Sequence, residues 1–211
     1  MLPSKETLQF LMPYKFAVDE LKTKLKIIQQ EAYFSLEHNP IEHMKFRVKS
    51  PESMTKKLKR KGAAATLTSA KNVLNDIVGA RIVCCFEEDI YFLRDLFYSR
   101  PDLTVVEEKD YIKEPKSNGY RSLHLIVEVP VVMHEKTEMV RAEIQIRTIA
   151  MDFWASVEHK IFYKYDREIP THLKEELSEA ASAANELDLK MAKVRKEIQN
   201  IENEYDSMIM H

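Results

Sequence analysis

An α+β domain built on one mixed sheet, with a long helix at each end, is the fold class this sequence predicts. Three observations predict it. Apolar residues recur at helical spacing in two long terminal stretches. Between them, short runs alternate apolar and polar residues and are separated by shorter helical patterns. Glycine is scarce, with three in 211 residues against a usual fraction of about 7%. That rules out collagen-like chains, Gly-rich linkers and most all-β hairpin architectures.

Residues 7–35 read as helix, because Leu11, Tyr14, Val18, Leu21, Leu25 and Ile28 recur at spacings of three and four with charges between them. Asn39-Pro40 opens a short helix. Ser50-Pro51 reads as an N-cap followed by proline at the first helical position, starting a second helix that runs to about Lys61. A third spans about 69–76. Ile77–Phe86 is strand-like. Glu87–Arg100 is helical, with Ile90, Leu93, Leu96 and Phe97 on one face, and Leu103–Tyr111 is a strand. Lys113–Gly119 is a polar loop in which Asn118-Gly119 is a strong turn signal. Tyr120–Val129 and Val140–Arg147 are strongly alternating strands, and Ile149–Lys164 is a helix that places Phe153 and Trp154 in the core. After Pro170-Thr171, the residues Leu173, Leu177, Ala180, Ala184, Leu187, Met191, Val194, Ile198, Ile201 and Tyr205 keep an unbroken heptad alternation. Such a seam suits a coiled coil, or equally a helix packing its stripe on its own core. The chain therefore divides into an N-terminal helical segment (1–38), a mixed domain (39–165) and a C-terminal heptad helix (166–211).

The 45% of apolar residues suffice for a core, and 32 basic against 34 acidic residues leave a formal charge of −2. That balance predicts no general polyanion binding, yet its distribution is uneven. Between Ile41 and Gly62 eight basic residues (Lys45, Arg47, Lys49, Lys56, Lys57, Lys59, Arg60, Lys61) face only Glu42 and Glu52, whereas 166–206 holds eleven acidic and six basic residues. No glycine-rich phosphate loop exists in the sequence, so a bound nucleotide has to be held by side chains. Cys84 and Cys85, the only cysteines, read as buried free thiols without disulfide or metal spacing. No apolar run has the length of a membrane span and no signal-peptide core is present, so a cytoplasmic protein is expected.

Strand periodicity sorts the polar residues by face. Glu143, Gln145 and Arg147 share one face of their strand, and Tyr120, Ser122 and His124 share one face of the other. Such a face is a wet sheet surface in one reading and a cleft in another. Asp76 stands where a helix hands over to a strand, as a turn residue paired with Arg81 or as a ligand at the mouth of that cleft. Asp76 and Glu143 together offer two hard oxygen ligands for Mg²⁺, which typically takes one or two carboxylates and completes its shell with water and substrate phosphates. The basic helix suits a triphosphate, because Arg and Lys make charge-assisted bonds to it, although cations at a helix C-terminus also favour the dipole. Tyr120, leaving the Asn118-Gly119 turn beside Lys113 and Lys116, is placed to stack on a base. Glu158 and His159 either support the cleft or form a solvated pair.

Four runs carry a resemblance: Asp76-Ile-Val-Gly-Ala-Arg-Ile, Pro115-Lys-Ser-Asn-Gly-Tyr-Arg-Ser-Leu-His124, Glu143-Ile-Gln-Ile-Arg-Thr148 and Trp154-Ala-Ser-Val-Glu-His159. They occur in order, and the chain over about 10–205 resembles the synthetase domain of the RelA/SpoT family, in particular the stand-alone small alarmone synthetases. The resemblance implies a nucleotidyltransferase-like mixed sheet with flanking helices. It implies transfer of the β,γ-pyrophosphate of ATP to the 3′-hydroxyl of GTP or GDP, giving (p)ppGpp and AMP for the stringent response. It assigns Mg²⁺ to Asp76 and Glu143, with Glu143 also taking the hydroxyl proton. Arg47 and Arg81 would sandwich adenine, Lys49, Ser53, Lys57 and Arg60 would bind ATP phosphates, and Lys116, Tyr120, His124 and Gln145 would form the acceptor side. It further implies a homo-oligomer, a tetramer by analogy, with no membrane or nucleic-acid partner required. Where regulated members carry a Phe-Val-Thr-like stretch and a nearby Asn, this chain has His43-Met44-Lys45 and Asp152, which is closer to a product-insensitive, RelP-like subgroup. The family's hydrolase His-Asp motif does not occur. On the residues alone two alternatives stand beside this one: a nucleotidyltransferase that releases pyrophosphate, and a non-enzymatic RNA-binding or scaffold protein.

Overall fold

The computed structural model describes residues 5–36, 38–162 and 169–209. In chain order the elements are α1 (Lys5–Leu36), β1 (His43–Val48), α2 (Pro51–Arg60), α3 (Leu67–Val73), β2 (Val78–Cys84), α4 (Glu87–Ser99), β3 (Thr104–Asp110), β4 (Leu123–Val132), β5 (Thr137–Thr148), α5 (Ile149–Phe162) and α6 (Thr171–Ile209). The five strands form one sheet in the order β1-β2-β5-β4-β3. The central β2–β5 pair is parallel and the other three pairs are antiparallel. The expected α+β fold on a mixed sheet is thus the observed one.

One face of this sheet is the core. Val78, Ala80 and Ile82 of β2, Ala142, Ile144 and Ile146 of β5, and Leu123, Leu125 and Val127 of β4 are all buried. Helix α1 packs on them with the stripe that its sequence spacing predicts, since Leu11, Tyr14, Val18, Leu21, Leu25 and Ile28 are all buried. Helix α4 adds Ile90, Leu93 and Phe97, and α2 adds Met54 and Leu58. At about 25 cal/mol per Å² of apolar surface, this continuous core is the main force holding the sheet flat against its helices. The opposite face is left to polar side chains.

Several boundaries differ from expectation. Asn39-Pro40 opens no helix. Proline disfavours helical geometry at Asn39, whose Oδ1 instead accepts from Ile41 N at 3.1 Å and from Gln29 Nε2 at 3.1 Å. The chain then becomes β1, in which Met44, Phe46 and Val48 turn towards the core and His43, Lys45 and Arg47 turn away. The third helix spans 67–73, earlier than 69–76, because Thr66 caps it by accepting from Ser69 N. Strand β4 begins at Leu123: Tyr120 is held in the preceding turn, where its carbonyl accepts from Lys116 N at 3.2 Å. Phe153 is 68% exposed and does not join Trp154 in the interior, and only Cys84 of the two thiols is fully buried. The expected end of the fifth helix at Lys164 and the start of the C-terminal segment at Asp166 lie outside the described residues.

Candidate active site

Strand register alone lines up the predicted residues. Lys45 pairs with Arg81, Arg81 with Gln145, and Gln145 with His124, so one row of side chains crosses four strands. The next row runs Arg47, Gly79, Glu143. Registered partners project to the same side of a sheet, and here that side is the polar one. Gly79 has a steric purpose in this row. A Cβ there would lie 3.2 Å from Arg47 Nε, so the bare backbone lets the Arg47 side chain lie across β2.

Two adjoining clefts result. One, of about 260 Å³, is lined by Lys45, Arg47, Gly79, Arg81, Glu143 and Gln145. The other, of about 560 Å³, shares Lys45, Arg47, Arg81 and Gln145 and adds Tyr120, Arg147, Ser156, Glu158 and His159.

Near Glu143 stands Asp76, two residues before β2 and 5% exposed. Its Oδ2 is taken by Lys49 Nζ and, at 2.7 Å, by Lys57 Nζ. Burial pushes this carboxyl up, but hydrogen bonds from Lys49 and Lys57 outweigh burial and hold it below the usual carboxylate range. The Lys49 ammonium in turn is lowered, because burial and the charges of Lys57 and Arg47 exceed what Asp76 returns. Cations therefore outnumber the carboxylate they surround. Asp76 Oδ1 is buried and has no hydrogen-bond partner. An unsatisfied buried carboxylate oxygen is costly, and a cation ligated there would satisfy it. Glu143 is close enough to feel the charge of Asp76, which opposes the net lowering of the Glu143 pKa. The two carboxylates fit a hard divalent ion that keeps water and phosphate ligands. Ser53 sits in the first turn of α2 under the Ser50 cap, with Ser50 Oγ 3.1 Å from Ser53 Oγ, and Arg60 stands exposed one turn beyond Lys57.

The acceptor-side residues form a connected hydrogen-bond chain. Arg147 donates to the Tyr120 hydroxyl at 2.5 Å. That hydroxyl, being 2.7 Å from His124 Nε2, donates its own proton there. His124 then carries its proton on Nδ1, 3.4 Å from Glu143 Oε1, an assignment made from the network. Burial pushes the His124 imidazole down, with Glu143 opposing, so it is neutral at pH 7. Gln145 Nε2 donates to Glu143 Oε2 at 3.0 Å. For Glu143 burial is again the largest effect and raises the pKa, and the bonds from His124 and Gln145 overcome it. Lys116 Nζ lies 4.6 Å from the Tyr111 ring centre and 4.8 Å from that of Tyr120, a cation–π position. The loop is fixed by Gly119, whose φ of +85° suits glycine and where a Cβ would collide with Ala181. Asn118 completes it, accepting from Tyr120 N and donating to Glu158 Oε1 at 3.3 Å.

Residues 46–168 match the family profile described as the region found in RelA/SpoT proteins. The chain belongs to the RelA/SpoT family. Among relatives, it is 54% identical to the GTP pyrophosphokinase YwaC of Bacillus subtilis over 188 residues, covering 89% of this chain and 90% of that one. Its fold matches the B. subtilis small alarmone synthetase 1 bound to its product pppGpp, with a TM-score of 0.85 and 42% identity over 93% of this chain and all of the other. The same synthetase bound to AMPCPP matches with a TM-score of 0.78 and 39% identity over the same shares. In this RelA/SpoT-family chain, Lys45 lines both clefts and Arg147 the larger one, and the sequence assigns neither a role. Arg147 is 4% exposed and joins Tyr120, Gln145, Ser122 and Asp152. Its signal was available: it continues the polar face of Glu143 and Gln145 by one more strand period.

Proposed function

We propose that this RelA/SpoT-family chain is a GTP pyrophosphokinase. It transfers the β,γ-pyrophosphate of ATP to the 3′-hydroxyl of GTP or GDP, yielding (p)ppGpp and AMP. The single observation carrying this reading is the state of Asp76: one oxygen neutralised by two lysines, the other buried and unpartnered, with Glu143 near enough to feel its charge. Relatives named as a GTP pyrophosphokinase and as a pppGpp-bound and an AMPCPP-bound alarmone synthetase support both the activity and the two nucleotides.

In this reading Arg47 and Arg81 hold adenine between planar guanidinium groups. Lys49, Ser53, Lys57 and Arg60 contact the donor phosphates. Tyr120 stacks on guanine, with Lys116, His124 and Gln145 around the acceptor. Asp76 and Glu143 would hold Mg²⁺, which supplies charge neutralisation at the transferred phosphates. Glu143 is an ionised carboxylate with a depressed pKa, a weak base at equilibrium. That suffices, because a loose phosphoryl-transfer transition state asks mainly for positioning and charge stabilisation. Glu143 accepts the hydrogen bond of the 3′-hydroxyl, orients its oxygen in line, and receives the proton as the new P–O bond forms. Neutral His124 keeps Glu143 oriented through Nδ1–H. The outward apolar stripe of α6, described below, supports assembly into a homo-oligomer.

Asp76→Asn and Glu143→Gln test the reading, since each preserves shape and removes charge. Both are expected to lower turnover by at least ~10³-fold, a loss comparable to removing one electrostatic stabiliser of the transition state, with the unfolding midpoint within a few degrees of the parent. Ordinary turnover in either variant, still dependent on Mg²⁺, would remove that residue from the mechanism.

A further inference from the structure

Asp152 lies in the first turn of α5 and is 9% exposed. A carboxylate there is favoured by the helix dipole, but the dipole calls for no buried partners, and Asp152 has two. Its Oδ1 is 3.1 Å from Arg81 NH1 and 3.1 Å from Arg147 NH1. The two guanidinium groups it joins have different destinations. Arg81 keeps a third of its side chain exposed and lines both clefts. Arg147 is buried and spends its remaining donors on the Tyr120 hydroxyl, on Gln145 Oε1 at 3.0 Å and on Ser122 Oγ at 3.3 Å. One oxygen thus fixes a side chain of the donor half and, through Arg147, the aromatic ring of the acceptor half. Without the carboxylate, two guanidinium groups would face each other uncompensated in a partly desolvated place, where their repulsion is strong. Arg147 keeps three other partners but loses the charge that balances it, so both guanidinium groups shift, Arg81 alone and Arg147 together with the Tyr120 ring it holds.

We infer that Asp152 is a positioning residue that links the ATP and GTP/GDP halves of the cleft through its bridge from Arg81 to Arg147. The inference rests on the pyrophosphate-transfer reading for the names of the two halves. It assigns Asp152 no contact with substrate. Its effect on ATP passes through Arg81, and its effect on the acceptor passes through Arg147 and Tyr120.

The experiment is a double-mutant cycle on the full chain, reading KM for ATP and for GDP separately, together with the unfolding midpoint. Asp152→Asn keeps the shape and an acceptor oxygen but loses the charge. It is expected to raise both KM values about tenfold, within the range of coupling seen between residues sharing one charged network. In an Arg81→Gln background the same substitution should leave the ATP KM within about twofold while still raising that for GDP. A lowered midpoint with both KM values unchanged would make Asp152 a structural brace and overturn the inference. So would an ATP effect that persists undiminished without Arg81, or a change confined to one nucleotide. AMP formation by the parent protein is measured first in the same assay. Its absence would count against the transfer reading alone, and dissociation constants for AMPCPP and GDP by equilibrium dialysis would then replace KM in the cycle.

Discussion

Tyr120 does two jobs with two parts of one side chain. The side chain lines the larger cleft with its ring between Lys116 and Tyr111 on the loop side and Arg147, while its hydroxyl relays a hydrogen bond from Arg147 to His124. These parts can be separated. Tyr120→Ala removes the ring and should weaken acceptor binding by about 1–3 kcal/mol, the usual worth of base–aromatic stacking. Tyr120→Phe keeps the ring but releases it from Arg147, and should raise the acceptor KM by less than the alanine variant does. It also strands an Arg147 donor and the His124 Nε2 acceptor, which should cost about 1–3 kcal/mol of folding stability, read in a urea titration. Equal acceptor KM values for the Ala and Phe variants would assign Tyr120 a role other than stacking. The sequence pointed to Tyr120, His124, Glu143 and Gln145 through strand alternation, and to the basic residues through charge density. It could not reveal the Arg147–Asp152 bridge. The two residues lie five apart across a strand-to-helix junction, where no periodicity predicts that side chains meet.

At the scale of elements, α6 is the instructive case. The heptad pattern was legible, and so was the ambiguity over what it faces. Part of the helix packs on its own domain: Trp154 Nε1 donates to the Leu177 carbonyl at 3.1 Å, Ala181 closes over Gly119, and Thr148 Oγ1 donates to Asp188 at 2.6 Å. Further along, Arg195 lies 4.3 Å from the centre of the Phe86 ring. This inner stripe takes Leu177 and Ala184 from the heptad seam, packed against Trp154, and continues through Asp188 and Arg195, which apolar periodicity does not mark. The apolar seam itself points outward over its second half, with Leu187, Met191, Val194, Ile198, Ile201 and Tyr205 each about half exposed or more. Strand β1 escaped reading for a similar reason: its apolar alternation is only three residues long and follows a proline. If the outer seam joins copies of the chain, Ile198→Asp combined with Ile201→Asp should reduce the mass seen by light scattering to that of a single chain. The unfolding midpoint measured at low protein concentration should change little, because both side chains are exposed in the monomer. An unchanged mass would place any self-association elsewhere.

Across the whole molecule, the fold separates two tasks between the faces of one sheet. The apolar face builds the core with α1 and α4, and the polar face collects charge. With three glycines in the chain, two of them at positive φ outside the sheet and the third giving way to Arg47, no glycine-rich phosphate loop is available. In the proposed reading lysines and arginines from β1, α2 and β2 take its place, and the local excess of positive charge around Asp76 suits a polyanion although the chain as a whole is slightly acidic. Among the described residues no helix is long and apolar enough to cross a membrane. In the proposed function this charge positions the β-phosphorus of ATP for attack by a 3′-hydroxyl. The most direct measurement follows the donor. The purified protein is incubated with ATP, GTP and Mg²⁺, and the nucleotides are separated by ion exchange. The account predicts AMP in equal amount to a new, more highly charged guanosine species, and neither when Mg²⁺ is chelated. ADP as the main product would mean attack at the γ-phosphorus, and pyrophosphate would mean attack at the α-phosphorus; either result would contradict it.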